Sequence, residues 1–392
     1  MGNAPKLRFE GFDGEWEKKT LGDISTFLDT MRKPLEGSKR VAGPYPYYGA
    51  SGIVDYVDGY IFEEELVLLS EDGANIMDRN YPVCFLATGK YWVNNHAHVL
   101  KTKQGNDNNF ICNSLERKDY KQFNTGMAMP KLNKDVCQGI PVYCPCYEEQ
   151  RLIGSILRNI DHLLTLHQRK YDALLRAKQF YLQNLFPKKG EKVPAIRFAG
   201  FDGEWERCEL KEIANKRTEK NAHLQYTETF TNSAEYGVIS QRDYFDHDIS
   251  NRESINGYYI VRNDDFVYNP RISNAAPFGP INRNKLGKNG IMSPLYTIFE
   301  INKNNLGYIE WYFKSSSWHP FMYMNGDSGA RSDRYAIKDS VFFEMPITLP
   351  CSKEQEAIAS FLNRFDSLLA LQSRKLETLK KMKQFMLQNL FV

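Results

Sequence analysis

Arginine, lysine, asparagine and histidine side chains gather beside aromatic and glycine residues in two stretches of this 392-residue sequence. Such side chains donate hydrogen bonds to phosphates and base edges, aromatic rings pack on sugars or bases, and glycine allows close backbone approach. The first stretch contributes Arg32, Lys33, Lys39, Arg40, Tyr47, Tyr48, Ser51, Lys90, Asn94, Asn95 and His96. The second contributes Arg217, Lys220, Arg242, Arg271, Ser273, Asn274, Arg283, Arg331 and Arg334. Both sets are candidate DNA contacts.

Each candidate also has an ordinary structural explanation. Arg32 and Lys39 suit a solvated surface, Tyr47 and Tyr48 suit a core, and residues 94–96 suit a turn or strand end. The net charge is only +3. An overall basic field therefore cannot indicate nucleic acid, and local patches must meet any anionic partner.

The usual sequence marks of catalysis are missing. No GxxxxGK[ST] phosphate loop occurs, because Gly89 and Lys90 are followed by Tyr91. No HExxH occurs, and the Cys144-Pro145-Cys146 pair has no second close Cys or His pair to complete a metal site. Residues 269–271, Asn-Pro-Arg, do not match the Asn-Pro-Pro-aromatic motif of an amino methyltransferase. We expect that this chain catalyses nothing alone and binds no metal.

The elements that position the candidates come from an internal repeat. PKLRFEGFDGEWE at residues 5–17 returns as PAIRFAGFDGEWE at 194–206, and residues 149–186 match 354–391. Between these repeats, the first insert (21–145) and the second insert (210–350) share little that aligns. A duplicated segment carrying two unlike inserts indicates two versions of one task on two targets.

The second repeated segment has apolar residues at alternating steps of four and three. The first copy places Ile153, Leu157, Ile160, Leu164, His167, Tyr171 and Leu174 on this seam. The second copy places Ile358, Leu362, Phe365, Leu369, Gln372, Leu376 and Leu379 on it. A heptad seam of this length predicts two helices of about 38 residues, each roughly 57 Å long.

The two helices are expected to form an antiparallel pair, because a whole domain separates them and can return the chain. In a symmetric pair His167 and Gln372, the polar exceptions, meet near the centre and set the register. The alternative is that each helix packs on its own globular domain. Ser352 and Gln355 predict a capping box at the start of the second helix.

Both inserts show short apolar runs separated by turn residues, which predicts strand-rich α+β domains. LGYIEWYFKSS in the second insert predicts a short amphipathic helix. We therefore expect target-recognition domains at 1–146 and 188–351, with long helices at 147–187 and 352–392. No run reaches the ~18 apolar residues of a membrane span, no secretory signal opens the sequence, and seven scattered cysteines indicate reduced thiols. A cytoplasmic location is expected.

The order of entry segment, variable insert and long helix, twice over, resembles the specificity (S) subunit of Type I restriction-modification systems. The paired RFxGFDGEW entries, the paired P-x-x-x-EQ starts and the paired QNLF helix ends carry the resemblance over essentially the whole chain. PYYGASG, VNNHAHVL and PLYTIF also resemble segments of that family's target-recognition domains.

The resemblance implies a fold of two globular domains separated by two antiparallel coiled-coil helices, with each domain reading half of a split, asymmetric site in double-stranded DNA. It implies two modification subunits that methylate adenine with S-adenosylmethionine, and restriction subunits that cut DNA with ATP and Mg. The helices would act as a ruler, since half-sites one turn of DNA apart lie ~34 Å from each other. Two alternatives are a self-sufficient methyltransferase or nuclease and a coiled-coil scaffold that binds proteins.

Overall fold

The computed structural model describes residues 3–245, 255–302, 304–327 and 333–392. The chain divides into two units. Unit 1 comprises Met1–Arg169 and Gln372–Val392, and unit 2 comprises Lys170–Leu371. The candidate Arg331 lies outside the described residues.

Unit 1 contains nine strands among its described residues. They are β1 Glu17–Thr20, β2 Ser25–Phe27, β3 Ala42–Gly49, β4 Gly52–Val57, β5 Leu66–Ser70, β6 Cys84–Ala87, β7 Trp92–Val93, β8 Ala97–Thr102 and β9 Pro141–Cys144. Its α-helices include α1 Leu21–Ile24, α2 Asn75–Asp78, α3 Asn108–Glu116, α4 Lys134–Gln138 and the start of α5 Tyr147–Asn184. The strands form sheets of order β1-β9, β2-β8-β5-β6 and β4-β3-β7.

Unit 2 repeats part of this arrangement. Its strands are β10 Glu206–Glu209, β11 Ala214–Arg217, β12 Phe230–Ser233, β13 Gly237–Ser240, β14 Tyr259–Val261, β15 Phe266–Tyr268, β16 Ile281–Arg283, β17 Gly290–Met292, β18 Thr297–Ile301 and β19 Pro346–Leu349. Its helices include α6 Leu210–Ile213, α7 Gln241–Phe245, α8 Leu306–Lys314, α9 His319–Asn325, α10 Asp339–Phe342 and the start of α11 Ser352–Asn389. The sheets are β10-β19, β11-β18-β15-β16, β12-β13 and β14-β17.

The two inserts therefore share a four-stranded antiparallel sheet, although their sequences do not align. The order β2-β8-β5-β6 of unit 1 corresponds to β11-β18-β15-β16 of unit 2. All five residues of β5 and all three of β15 are buried. A central strand covered on both faces reads as a continuous apolar run, which is why LVLLS and FVY lack alternation. The inserts differ in the smaller sheets added around this core.

The repeated segments make the same ion pair in both units. Arg8 binds the carboxylate of Glu149 through two nitrogens, each 2.8 Å from an oxygen. Arg197 binds Glu354 in the same way at 2.7 and 2.8 Å. Both glutamates are fully buried. A buried carboxylate needs a partner, so this pair explains why RF and EQ recur together.

The glutamine of each EQ ties the start of a long helix to a helix of the insert. Gln150 accepts a hydrogen bond from the Asp107 amide at 3.1 Å, and Gln355 accepts one from the Asn305 amide at 3.1 Å. Each also donates at 3.0 Å to the carbonyl of the proline five residues earlier. The predicted capping box is therefore wrong, because α11 includes Ser352 and the Gln355 side chain binds elsewhere.

The QNLF ends of the long helices close the cores. In unit 1 the ring of Phe391 lies 6.4 Å from Trp16. In unit 2 Trp205 and Phe186 both pack on Tyr308, with ring centroids 6.1 and 5.6 Å away. The core of unit 1 is thus completed by the end of α11, which begins after the second insert in sequence. The core of unit 2 is completed by the end of α5, which begins after the first insert.

The long helices run antiparallel within each unit, as predicted. In unit 1 His167 Nδ1 lies 2.7 Å from Gln372 Oε1, so the predicted polar layer is confirmed. Lys383 also pairs with Asp161 at 2.6 Å. In unit 2 the corresponding pair, Lys178 with Asp366, recurs. Every predicted seam residue is buried or half-buried. Both helices have 38 residues.

Candidate nucleic-acid interface

Two loops of unit 1 lie side by side and carry polar side chains. One is the tip of the β3–β4 hairpin, with Ser51, and the other follows β7, with Asn95 and His96. The loops are joined where the Asn94 amide donates to the Tyr48 carbonyl at 3.0 Å, beyond the parallel pairing of β3 with β7. Ser51, Asn95 and His96 are exposed. We call these three residues the unit 1 polar cluster.

The ring of His96 has a defined orientation. Its Nδ1 lies 2.9 Å from both carboxylate oxygens of Asp72. Because a carboxylate accepts hydrogen bonds, this contact places a proton on Nδ1 and leaves Nε2 for an external partner.

A charged network lies beneath these loops. His98 is buried, with Nδ1 2.8 Å from Asp29 and Nε2 2.7 Å from the Leu132 carbonyl. Burial lowers the pKa of His98, but hydrogen bonds with Asp29 and Cys137 outweigh it and raise this pKa to about 10. The same pair lowers the pKa of Asp29, against the opposing effect of its own burial. The charged His98–Asp29 pair therefore holds β8 beside residues 29–31.

Arg32 makes internal contacts, whereas the sequence offered it as a DNA contact or a solvated surface residue. It pairs with Glu71 at 2.6 Å and donates to the Ala97 carbonyl at 2.9 Å. Only 13% of its side chain is exposed. The guanidinium is thus saturated by internal acceptors and supports the 94–96 loop from inside.

Tyr47, Arg40 and Asn94 are also committed internally. Tyr47 is buried, and its phenol oxygen accepts a backbone amide proton at 2.9 Å. Arg40 lies over its ring at 4.6 Å and pairs with Asp55 at 3.2 Å. Asn94 is buried and accepts the His96 amide proton at 2.8 Å. These side chains shape the loops, whereas the sequence predicted them as contacts.

The remaining unit 1 candidates lie outside the polar cluster. Tyr48 is half-buried and stacks on Phe85 at 5.8 Å. Lys33, Lys39 and Lys90 are exposed. Lys90 lies 4.8 Å from the centre of the Tyr60 ring, and Lys39 pairs at 2.8 Å with Glu36, three positions earlier. The exposed lysines can reach phosphates, since surface pairs of this kind are weak.

Unit 2 has a cleft of ≈ 490 Å³ that collects several predicted residues. Its lining consists of Thr231, Asn232, Ser233, Ala234, Glu235, Gln241, Tyr244, Asn269, Pro270, Arg271, Ile272, Ser273, Ala275, Pro280, Leu295, Tyr296 and Arg334. Arg271 and Arg334 oppose each other in an antiparallel bridge. The cleft therefore brings Arg271, Ser273 and Arg334 together from segments that are far apart in sequence.

The floor of this unit 2 cleft is a network of amides. Asn232 donates to the Val267 carbonyl at 2.7 Å and accepts from Asn282 at 2.8 Å. Asn269 donates to the Asn232 carbonyl at 2.8 Å. Gln241 Oε1 is buried and has no hydrogen-bond partner among the residues that the structure describes. An unsatisfied buried acceptor is costly, so this atom is suited to an incoming donor.

Sequence reasoning missed Gln241, Tyr296 and the asparagines of the floor. Gln241 and Tyr296 are separated by more than fifty positions, and no period or motif links them. Only the pairing of β12 with β13 and the turn before β18 bring them to one cleft. The Asn-rich runs of the second insert were a sequence signal that could have identified the asparagines of the floor.

The predictions for Arg217 and Arg283 are corrected in the same way as that for Arg32, because both arginines make internal ion pairs. Arg217 pairs with Glu300 and with Asp265, the latter at 3.4 Å. Arg283 pairs with Glu310 at 3.2 Å, and only 17% of its side chain is exposed. Arg217 thus pairs with a carboxylate of the neighbouring strand β18 and Arg283 with one of helix α8, because a charge placed at this depth needs a partner.

Three further candidates of unit 2 are exposed but are not among the residues lining the cleft. They are Lys220, Arg242 and Asn274. The Arg242 side chain has an interaction of its own. Of the predicted unit 2 residues, Arg271, Ser273 and Arg334 are therefore the ones that lie together in the cleft.

Three general features bear on the chemistry of the chain. In the described ranges, no group of three or more His, Cys, Asp or Glu side chains could hold a metal ion. None of the helices within those ranges is both long enough and apolar enough to cross a membrane. All seven cysteines are free thiols.

Comparison with known proteins places the repeat in a defined group. The model of the family described as "Type I restriction modification DNA specificity domain" matches residues 13–176 and 202–381. The two matches therefore fall on the two repeats and together span most of the chain.

Individual relatives carry the same description. The chain is 40% identical over 148 residues to a putative type I restriction enzyme specificity subunit of Haemophilus influenzae, which covers 38% of this chain and 37% of that protein. It is 22% identical over 402 residues to the type I restriction enzyme MjaVIII specificity subunit of Methanocaldococcus jannaschii, which covers 94% and 90%. A crystal structure of a Type-I restriction-modification S subunit from M. genitalium shares the fold, with TM-score 0.61, 12% identity and 99% of each chain covered.

Proposed function

The chain belongs to the type I restriction-modification DNA specificity family, and on that premise we propose that each of its units reads one half of a bipartite DNA site. As in that family, the chain is a recognition subunit and not a catalytic one. The observation that supports two half-sites is the contrast within the repeat. The same four-stranded sheet occurs in both units, while the polar surfaces built around it differ.

Unit 1 would read its half-site with the polar cluster. Asn95 can both donate to and accept from a base edge, and His96 Nε2 can do either according to its protonation. Glycines at 49 and 52 let the hairpin tip approach closely, and Gly52 has a φ of +106° that favours glycine. Lys33 and Lys90 would contact phosphates, which fix the register of the protein on the duplex.

Unit 2 would read the other half-site with its cleft. Arg271 and Arg334 supply the donors that suit guanine O6 and N7 or a phosphate. Gln241 Oε1, which has no hydrogen-bond partner among the described residues, would accept from the amino group of adenine or cytosine. Because the two units present different donor and acceptor sets, the complete site should be asymmetric.

The modification subunits would dock on the long helices. In unit 1 the exposed apolar side chains of the helices include Leu163, Leu166 and Phe385. In unit 2 they include Leu368, Leu371 and Phe180, the equivalent positions of the repeat. A repeated apolar surface suits two copies of one partner. S-adenosylmethionine, ATP and Mg would be bound by the modification and restriction subunits.

The assignment of half-sites can be tested by mapping adenine methylation genome-wide in a host that carries the chain and its modification partner. His96→Ala should relax or abolish recognition of one half of the methylated sequence, while Arg334→Ala should affect the other half. Lys101→Ala is a matched control, since this exposed lysine lies at the far end of β8. Methylation that does not depend on this gene, or two variants that alter the same half, would refute the assignment.

The ruler role has its own test. Removing one heptad from each long helix shortens the pair by about 10 Å, or roughly three base pairs. The unread gap between the half-sites should change accordingly, while the two half-sequences stay the same. An unchanged gap in a stable, methylating variant would refute the ruler.

A further inference from the structure

We propose that loop 124–131 of unit 1, whose tip carries Met127 and Met129, inserts apolar side chains into a groove of the DNA beside the unit 1 polar cluster. This inference rests on the proposed DNA recognition and deepens it. It adds an apolar contact to a reading surface that so far consists of polar groups.

Both methionines are presented to solvent. The Met127 side chain is fully exposed, and Met129 is 61% exposed. Single exposed apolar residues are common on protein surfaces, but two at the tip of one loop form a projecting apolar contact. Pro130 follows directly and is half-buried at the base of the loop.

The loop is held in one shape by hydrogen bonds of its own. Asn124 Oδ1 accepts the amide protons of Gly126 at 2.9 Å and Lys131 at 2.8 Å. The Thr125 amide donates to the Lys131 carbonyl at 2.8 Å. A Cβ atom at Gly126 would lie 1.8 Å from the Met129 carbonyl oxygen, so only glycine fits there. The methionines are therefore presented on a preorganised support, which lowers the entropic cost of binding.

The base of the loop adjoins the polar cluster. The Gly73 amide donates to the Pro130 carbonyl at 3.0 Å, and Asp72 forms a β-bridge with Lys131. Asp72 is also the residue that orients His96 at 2.9 Å. Residues 71–73 thus lie between the two loops, which places the loops about two strand spacings, or ~10 Å, apart.

The charge around the methionines indicates the kind of partner. Lys131 at the base of the loop is exposed and pairs with Glu71 at 3.6 Å, and Lys134 at the start of α4 is also exposed. A surface pair of this kind is weak, so both lysines can contact phosphates. Methionine is among the apolar side chains that enter grooves and wedge between base steps. An apolar tip that accompanies cations and the unit 1 polar cluster fits duplex DNA, which offers phosphates, base edges and stacked faces.

The test uses the full chain assembled with its modification partner and a fluorescent duplex that carries the methylated sequence mapped for the wild type. Met127→Ser with Met129→Ser should weaken specific binding on the order of tenfold, by loss of apolar burial. Met127→Leu with Met129→Leu, which keeps the apolar volume, should bind within about threefold of the wild type. Melting temperatures should be the same for all three, because the side chains touch little of the protein.

The outcomes separate the loop contact from the proposed function. Wild-type binding that the serine variant matches would overturn the role of the loop and leave DNA recognition standing. A wild-type assembly that fails to select the mapped duplex would overturn DNA recognition itself. Loss in the serine variant with recovery in the leucine variant supports the apolar contact. Equal loss in both would overturn it, since volume and polarity would then not matter.

Discussion

Replacing Arg197 with methionine should destabilise unit 2 strongly. Its partner Glu354 has only 1% of its side chain exposed, so the variant leaves an unpaired carboxylate in the core. Breaking a buried pair from one side costs about 3–5 kcal/mol. We take the lower end, about 3 kcal/mol, because 19% of the arginine side chain is exposed to water. For a unit of roughly 200 residues this corresponds to a fall in Tm of about 6–12 °C.

The repeat supplies a matched control for this prediction. Arg8→Met removes the equivalent partner of Glu149 and should lower the stability of unit 1 by a similar amount, because the geometry is the same. The double variant Arg197→Met with Glu354→Met should regain most of the loss, since two apolar side chains then replace the pair.

Calorimetry of the purified chain, with its modification partner if required for solubility, measures these changes. Urea titration followed by tryptophan fluorescence provides a second measurement. The reasoning is refuted if Arg197→Met lowers Tm by less than about 2 °C. It is also refuted if the double variant is as unstable as the single one, because the cost would then not come from an unpaired charge.

Four further predictions concern other contacts. The pKa of His98 is raised to about 10, so its contribution to the free energy of unfolding should be complete below pH ~6.5 and should fall as pH rises toward about 10. When the free energy of unfolding is measured against pH, the His98→Gln variant should lack this fall. The contribution of Asp29, whose pKa is lowered, should be present above pH ~4 and fall as the solution is acidified further. Gln372→Leu should cost about 1–3 kcal/mol in urea titrations by leaving His167 unpaired, whereas the double leucine variant should be neutral or more stable. Gly126→Ala should weaken DNA binding as the double serine variant does and should also lower Tm, because its Cβ would lie 1.8 Å from the Met129 carbonyl oxygen and the loop backbone must move.

The parts of the fold that follow local periods were predictable. The heptad seam placed His167 opposite Gln372 because helical rise and period are constant along a chain. The strand runs of both inserts and the helix at Leu306–Lys314 were also predicted and confirmed. Helix α3, Asn108–Glu116, was not predicted. It is only nine residues long, and its polar residues Asn109 and Asn113 are buried along with its apolar ones, so the sequence offered too short an apolar period to indicate it.

Contacts between distant segments were not predictable. Gln355 has the spacing of a capping box, but the Asn305 amide, fifty positions away, is its partner. Arg32, Arg217 and Arg283 have the residue type of a phosphate contact, yet each pairs with a carboxylate from another segment of its own unit. A side chain's type states which partners it accepts, whereas the fold decides which partner is near.

The sequence by itself determined the internal repeat, the two long helices with their polar layer, and the family. These properties depend on residue order and on intervals of three, four or seven, which local geometry converts directly into shape. Only the tertiary structure decided that unlike inserts share one sheet order, that three predicted arginines pair with internal carboxylates, and that Gln241 joins Arg271 and Arg334 at one cleft. Those outcomes depend on pairing between strands far apart in the chain, where burial and unsatisfied charges select one arrangement among many.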